Sequence, residues 1–158
     1  MTQTLPQQPV VTAFLRHAGK ILLVRRSEAV GSYRGRWSAI SGYLEDPTAL
    51  GQARREIREE TGLTDDQVHL IATAPPIPVP APALGHEWLV HPFLFEIDFD
   101  GDFGSDDPAA IRLDWENREM RWVEPQELAD YPTVPALDAA LSACLAAEER
   151  GEAATTHD

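Results

Sequence analysis

Apolar and β-branched residues gather over residues 10–16 (VVTAFLR) and again over residues 21–26 (ILLVRR), with His17-Ala18-Gly19-Lys20 between them. Two such runs around a turn predict a β-hairpin. Residues 27–36 are polar and carry Gly31 and Gly35, which predicts a loop. Residues 37–42 (WSAISG) predict a short extended piece. The period then changes. Leu50, Ala53 and Ile57 recur at helical spacing. Asp46-Pro47-Thr48 opens that helix, with either Thr48 or Asp46 as N-cap, and Gly62 stands where a left-handed residue ends it.

Strand character returns at residues 68–74 (VHLIATA), followed by Pro75, Pro76, Pro78, Pro80 and Pro82, read as a stiff extended loop. Residues 87–97 (EWLVHPFLFEI) predict a long strand, with Pro92 marking an edge or a bulge. Residues 98–108 read as a solvated acidic loop whose Asp spacing does not match an EF-hand. Residues 118–125 hold a strand, PQEL starts a short helix, and Val134, Leu137, Leu141, Cys144 and Leu145 mark a final amphipathic helix. Several connections are too short for parallel crossovers, so the expected fold is α/β (α+β), a mixed sheet flanked by helices. Residues 1–9 are expected as a disordered lead, 10–150 as one domain and 151–158 as a frayed tail.

Composition narrows the functional classes. The net charge of −13 argues against a nucleic-acid polymer as partner. Seven of the 12 arginines, including Arg25 and Arg26, nevertheless lie in residues 25–58 against four acids, making that window +3 and the remainder −16. A local arginine cluster in an acidic chain suits a small phosphorylated ligand. There is no apolar run of membrane-spanning length and no secretory leader pattern, and a single cysteine, Cys144, allows no internal disulfide. These features point to a cytoplasmic location without membrane attachment. No Ser-His-Asp, Walker or dinucleotide-glycine pattern occurs, and His86 and His91 have no zinc spacing with any cysteine. Tyr33, Trp37 and Trp88 are candidates to stack a nucleobase.

The predicted helix poses its own problem. Residues 54–63 (RREIREETGL) set Glu56, Glu59 and Glu60 three and four residues apart on one face, where like charges cost roughly 0.2–0.5 kcal/mol per pair. A bound Mg²⁺ would remove that repulsion, because a hard cation prefers carboxylate oxygens and keeps several waters. It would also neutralise charge on bridging phosphates and lower the pKa of a coordinated water.

Residues 55–63 resemble the core of the Nudix hydrolase box, R-E-U-x-E-E-x-G-U with U aliphatic, at all seven specified positions. The upstream half departs from the family pattern. Counting back from Arg55 puts Pro47 where the family has a Glu and Ser41 where it has a Gly, so the segment is one residue short between Gly42 and Thr48. Glu45 or Asp46 could supply the missing acid after a loop shift.

The resemblance implies an α/β/α sandwich and a hydrolase that cleaves the pyrophosphate of a nucleoside diphosphate linked to another group, or of a nucleoside triphosphate, with Mg²⁺ or Mn²⁺. It implies Glu56, Glu60 and Glu59 as metal ligands with a backbone carbonyl near Ser41 or Gly42. Arg55 would orient a glutamate. A further acid would come from Glu116 or Glu87, and Glu59, Glu60 and Glu116 are the candidates for the acid–base work. Arg25, Arg26, Trp37 and Glu87 are the candidates for substrate contact. Pro78, fifteen residues beyond Leu63, stands where ADP-ribose enzymes of the family carry a proline. A homodimer would also fit the family. The alternative is a non-catalytic Nudix domain that binds a nucleotide as sensor or scaffold.

Overall fold

The computed structural model describes residues 5–27, 33–97 and 117–151. Strands β1 (Gln7–His17) and β2 (Lys20–Arg26) form the expected hairpin. Ala18 and Gly19 make the turn with φ of 53° and 80°, the handedness that two-residue hairpins require. β1 begins at Gln7, inside the stretch expected as a lead, because residues 7–16 pair in parallel with the later strand β7 (His86–Ile97). The extended piece splits into β3 (Trp37–Ser38), paired with β2, and β4 (Ile40–Tyr43), paired antiparallel with β1.

The first helix, α1 (Ala49–Thr61), has both predicted ends. Thr48 is the N-cap, its Oγ1 accepting from the Gly51 N–H at 3.0 Å. Gly62 adopts the left-handed conformation at φ 82° and donates to the Arg58 carbonyl. Asp46, the other N-cap candidate, accepts instead from Arg55.

β5 (Val68–Thr73) follows and pairs with β7. The proline-rich segment then departs from its expected loop. Residues 77–81 form strand β6 (Ile77–Ala81), antiparallel to β7. Pro78 and Pro80 alternate with Ile77, Val79 and Ala81, so the positions without an N–H face away from the ladder, which is where an edge strand tolerates proline. Pro92 lies in the central strand β7 rather than at an edge. Its partner on that side changes there, from β6 ending at Ile77↔Val90 to β5 starting at Thr73↔Phe93. The bulge lies in β5, between Leu70 and Ala72, opposite Phe95 and Leu94 rather than Pro92.

β8 (Asn117–Val123) pairs antiparallel with β2, and α2 (Leu137–Arg150) closes the chain. Val134 precedes α2 rather than belonging to it. It is followed by Pro135, which disfavours helical backbone at the residue before it, and its N–H donates to the Trp37 carbonyl at 2.9 Å.

The sheet is mixed, ordered β3-β2-β1-β7-β5, with β1 and β7 its parallel pair. Its two faces carry two cores. Val11, Ala13 and Leu15 of β1 pack with Ala53 and Ile57 of α1, while Phe14 and Leu94 pack with Leu137, Leu141 and Cys144 of α2. This is the expected sandwich of helix, sheet and helix. The strand alternation sends successive side chains to opposite faces, and the Ala53 and Ile57 side of α1 is the one that packs on the sheet. Among the described residues, no helix is long and apolar enough to cross a membrane.

Candidate active site

Because Ala53 and Ile57 anchor α1 to the sheet, Glu56 and Glu60 are carried to the rim of that buried face. Both are nearly withdrawn from solvent, at 8 % and 2 % exposure. Glu56 is in hydrogen-bond contact with Glu60, and its Oε2 accepts from Gln52 Nε2 at 2.8 Å. Two carboxyls in such contact need a proton or a cation between them. Burial holds the Glu56 carboxyl above the usual carboxylate range; the bonds with Glu60 and Gln52 and the charge of Arg55 pull it back, and the negative charge of Glu59 pushes it up further.

Glu59 takes a different direction, with 57 % of its side chain exposed and its carboxylate 3.6 Å from Arg55 Nε. Arg55 also donates to Asp46 at 2.8 Å. The guanidinium thus ties the loop before α1 to Glu59. The three glutamates are therefore not equivalent: two form a buried pair and one stands at the rim. Among the described residues no group of three or more acids, histidines or cysteines forms a ready-made cage.

The pair is enclosed by β4. A methyl group on Gly42 would lie 2.2 Å from the Glu56 carboxyl, so the backbone passes where only glycine leaves room. Ser41 and Gly42 both border the cavity that Glu45, Glu56 and Glu59 also line. This cradle of hard oxygen donors around a close carboxyl pair fits a divalent cation of the Mg²⁺ type. Glu56 and Glu60 would hold it, with Glu59 and a carbonyl of residues 41–42.

The cavity holds about 420 Å³. Aromatic and aliphatic side chains also line it: Tyr33, Tyr43, Trp88, Ile77, Val79 and Val90. Trp88 lies between the tyrosines. Its Nε1 donates to the Tyr33 hydroxyl at 3.0 Å, and its ring is 6.2 Å from that of Tyr43, tilted by 34°.

Of the residues expected at the substrate, Arg26 lines this cavity. Arg25 is instead held by Glu119 at 2.9 Å and by the Gly35 carbonyl. Trp37 is 6 % exposed and packs edge-on against Tyr131 in the α2-side core. Glu87 accepts from Gln7 on the exposed surface at 2.9 Å. Glu116 lies outside the described residues. Pro78 is exposed while its neighbours Ile77 and Val79 face the cavity. Sequence reasoning missed Tyr43 and Gln52. Gln52 lies four residues before Glu56, the spacing of helical neighbours, and that was the only available sign.

A family profile described as NUDIX domain matches residues 6–144. The chain belongs to the Nudix hydrolase family. No curated protein sequence matches it significantly. Solved structures share the Nudix fold at low identity. The MutT protein from Methanosarcina mazei Go1 is 22 % identical with a TM-score of 0.66, over 98 % of this chain and 99 % of that one. A binary complex of a C. elegans Ap4A hydrolase is 18 % identical with a TM-score of 0.68, over 91 % and 98 %. The NUDIX domain of Shewanella oneidensis NrtR, complexed with ADP ribose, is 16 % identical with a TM-score of 0.64, over 91 % and 88 %. Nudix hydrolases as a class use divalent metals such as Mg²⁺.

Proposed function

We infer that this Nudix protein is a Mg²⁺- or Mn²⁺-dependent pyrophosphohydrolase. Its substrate would be a nucleoside diphosphate linked to another group, of the ADP-ribose or nucleotide-sugar kind, or a nucleoside triphosphate. The observation that carries this reading is the buried Glu56–Glu60 carboxyl pair, whose Glu56 lines a cavity that Tyr33, Tyr43 and Trp88 also line.

A divalent ion held there supplies charge neutralisation on the bridging phosphates and acidifies water. Arg26, on the cavity lining, binds phosphate oxygens. Trp88 with Tyr33 and Tyr43 holds the planar base, each ring offering a face or edge for stacking. Glu59, at the exposed rim and steadied by Arg55, takes the proton of the attacking water. Water attacks one phosphorus and the other phosphate leaves.

Purified protein with Mg²⁺ and a panel of ADP-ribose, nucleotide sugars, dinucleoside polyphosphates and nucleoside triphosphates tests the reading. The expected result is release of a nucleoside monophosphate from at least one compound, abolished by EDTA. Tight binding with no turnover of any compound would overturn hydrolysis and leave a nucleotide-binding module.

A further inference from the structure

The loop before α1 is the part of the chain that departs most from the family pattern, with Pro47 standing where a glutamate is expected. Gln52 occupies the space behind it. The side chain is 1 % exposed, and all its visible polar contacts serve the site. Its Oε1 accepts from the backbone N–H of Glu45 and of Asp46, both at 2.9 Å. Its Nε2 donates to Glu56 Oε2 at 2.8 Å.

The orientation of the amide follows from these partners. Two backbone N–H groups converge on one of its terminal atoms, and only oxygen accepts. The other atom is therefore the NH₂ group, which must donate, so Glu56 Oε2 must accept. The Gly42 backbone also closes on the same carboxyl, so tightly that no Cβ fits. The Glu56 carboxylate thus meets both an amide donor and a close-passing glycine, and the same amide pins the shortened loop.

We propose that Gln52 is a positioning residue for this site: it locks the 45–46 loop backbone to Glu56 and sets the direction in which the Glu56 carboxylate presents its oxygens. The inference rests on the metal-dependent reading above, but its test does not need a known substrate. Partners that orient metal ligands typically change affinity or activity 10–100-fold when removed.

Two variants separate positioning from stapling. Gln52→Met keeps the volume and removes every hydrogen bond. Titration with Mn²⁺, followed by electron paramagnetic resonance of the free ion, should show at least tenfold weaker binding than wild type. Gln52→Glu keeps an oxygen for the two loop N–H groups but replaces the donor facing Glu56 by a second negative oxygen. In EDTA it should melt below wild type, because a second buried carboxyl then faces Glu56 with no donor between them. With the substrate found by the panel, it should lose at least tenfold in kcat at saturating Mg²⁺, with KM within threefold. Mn²⁺ affinity within twofold of wild type in folded Gln52→Met, or wild-type kcat in Gln52→Glu, would overturn the proposal and leave Gln52 a structural staple. If Gln52→Met does not fold, Gln52→Glu decides. Wild-type protein that binds no Mn²⁺ would instead overturn the metal-site reading itself, and the proposal with it.

Discussion

Replacing Gly42 by alanine perturbs the site by a single methyl group. Gly42 belongs to β4 and is not one of the left-handed glycines, so alanine suits its backbone. The added carbon, however, would lie 2.2 Å from the Glu56 carboxyl, whereas ordinary contact starts near 3.4 Å, so that carboxyl must retreat by about 1.2 Å. What moves is the end of a flexible side chain, not backbone. The stability cost is therefore about that of the hydrogen bond from Gln52, on the order of 1–2 kcal/mol. That corresponds to a fall in Tm of about 2–8 °C for a domain of this size. Catalysis should suffer far more, since a misplacement of about 1 Å can cost about 100-fold. This is about 2.7 kcal/mol of transition-state stabilisation. Steady-state kinetics at saturating Mg²⁺, beside a melt in EDTA, measures both quantities on one preparation. Turnover of Gly42→Ala within threefold of wild type would refute the argument, because the enzyme would then not need the Glu56 carboxyl where the glycine leaves room for it.

Glu60→Gln is expected to abolish turnover while leaving Tm in EDTA equal to or above that of wild type, since the amide can donate to Glu56 without the proton the carboxyl pair requires; a large loss of stability with full activity would make Glu60 structural. Arg16 grips Glu148 through two hydrogen bonds and holds its carboxyl below the usual range, so this pair stabilises the fold above the unfolded carboxylate pKa and is lost as pH falls through the lower folded value. Glu148→Gln should therefore lower Tm at pH 7 and converge on wild type at strongly acidic pH, and a constant difference across the acid range would contradict the pairing. Burial pushes the Cys144 thiol up to about 12, so a disulfide reagent at pH 8 should label native protein only as fast as it unfolds; rapid stoichiometric labelling would show the α2 core to be open.

Local chemistry explains what could be read from the sequence. The hairpin turn at Ala18-Gly19, the Thr48 and Gly62 caps and the Leu50-Ala53-Ile57 stripe are each set by residues within a few positions of one another, and each stands in the fold as expected. So does the mixed sheet. The segment around β6 was misread because proline density dominates any local reading, whereas the strand depends on β7 lying alongside it. The same limit applies to the cavity. Trp37 and Trp88 look alike in sequence, but pairing sends Trp37 beneath Tyr131 and Trp88 between two tyrosines. Glu56, Glu59 and Glu60 share a face on paper. Only the passage of β4 over α1 distinguishes the buried pair from the rim residue, and nothing in the helix itself encodes that.

The prolines of β6 also bear on assembly. An open strand normally offers alternating donors and acceptors to any neighbour that can align with it, which is how many chains join sheet to sheet or aggregate. Along the outer margin of β6, two successive donor positions are occupied by Pro78 and Pro80, leaving carbonyls without matching amides. A second copy laid there would find the zipper missing its teeth. Sheet-to-sheet pairing along this margin is therefore disfavoured, and the cavity lined by Ile77 and Val79 is not prone to being capped by a companion strand there.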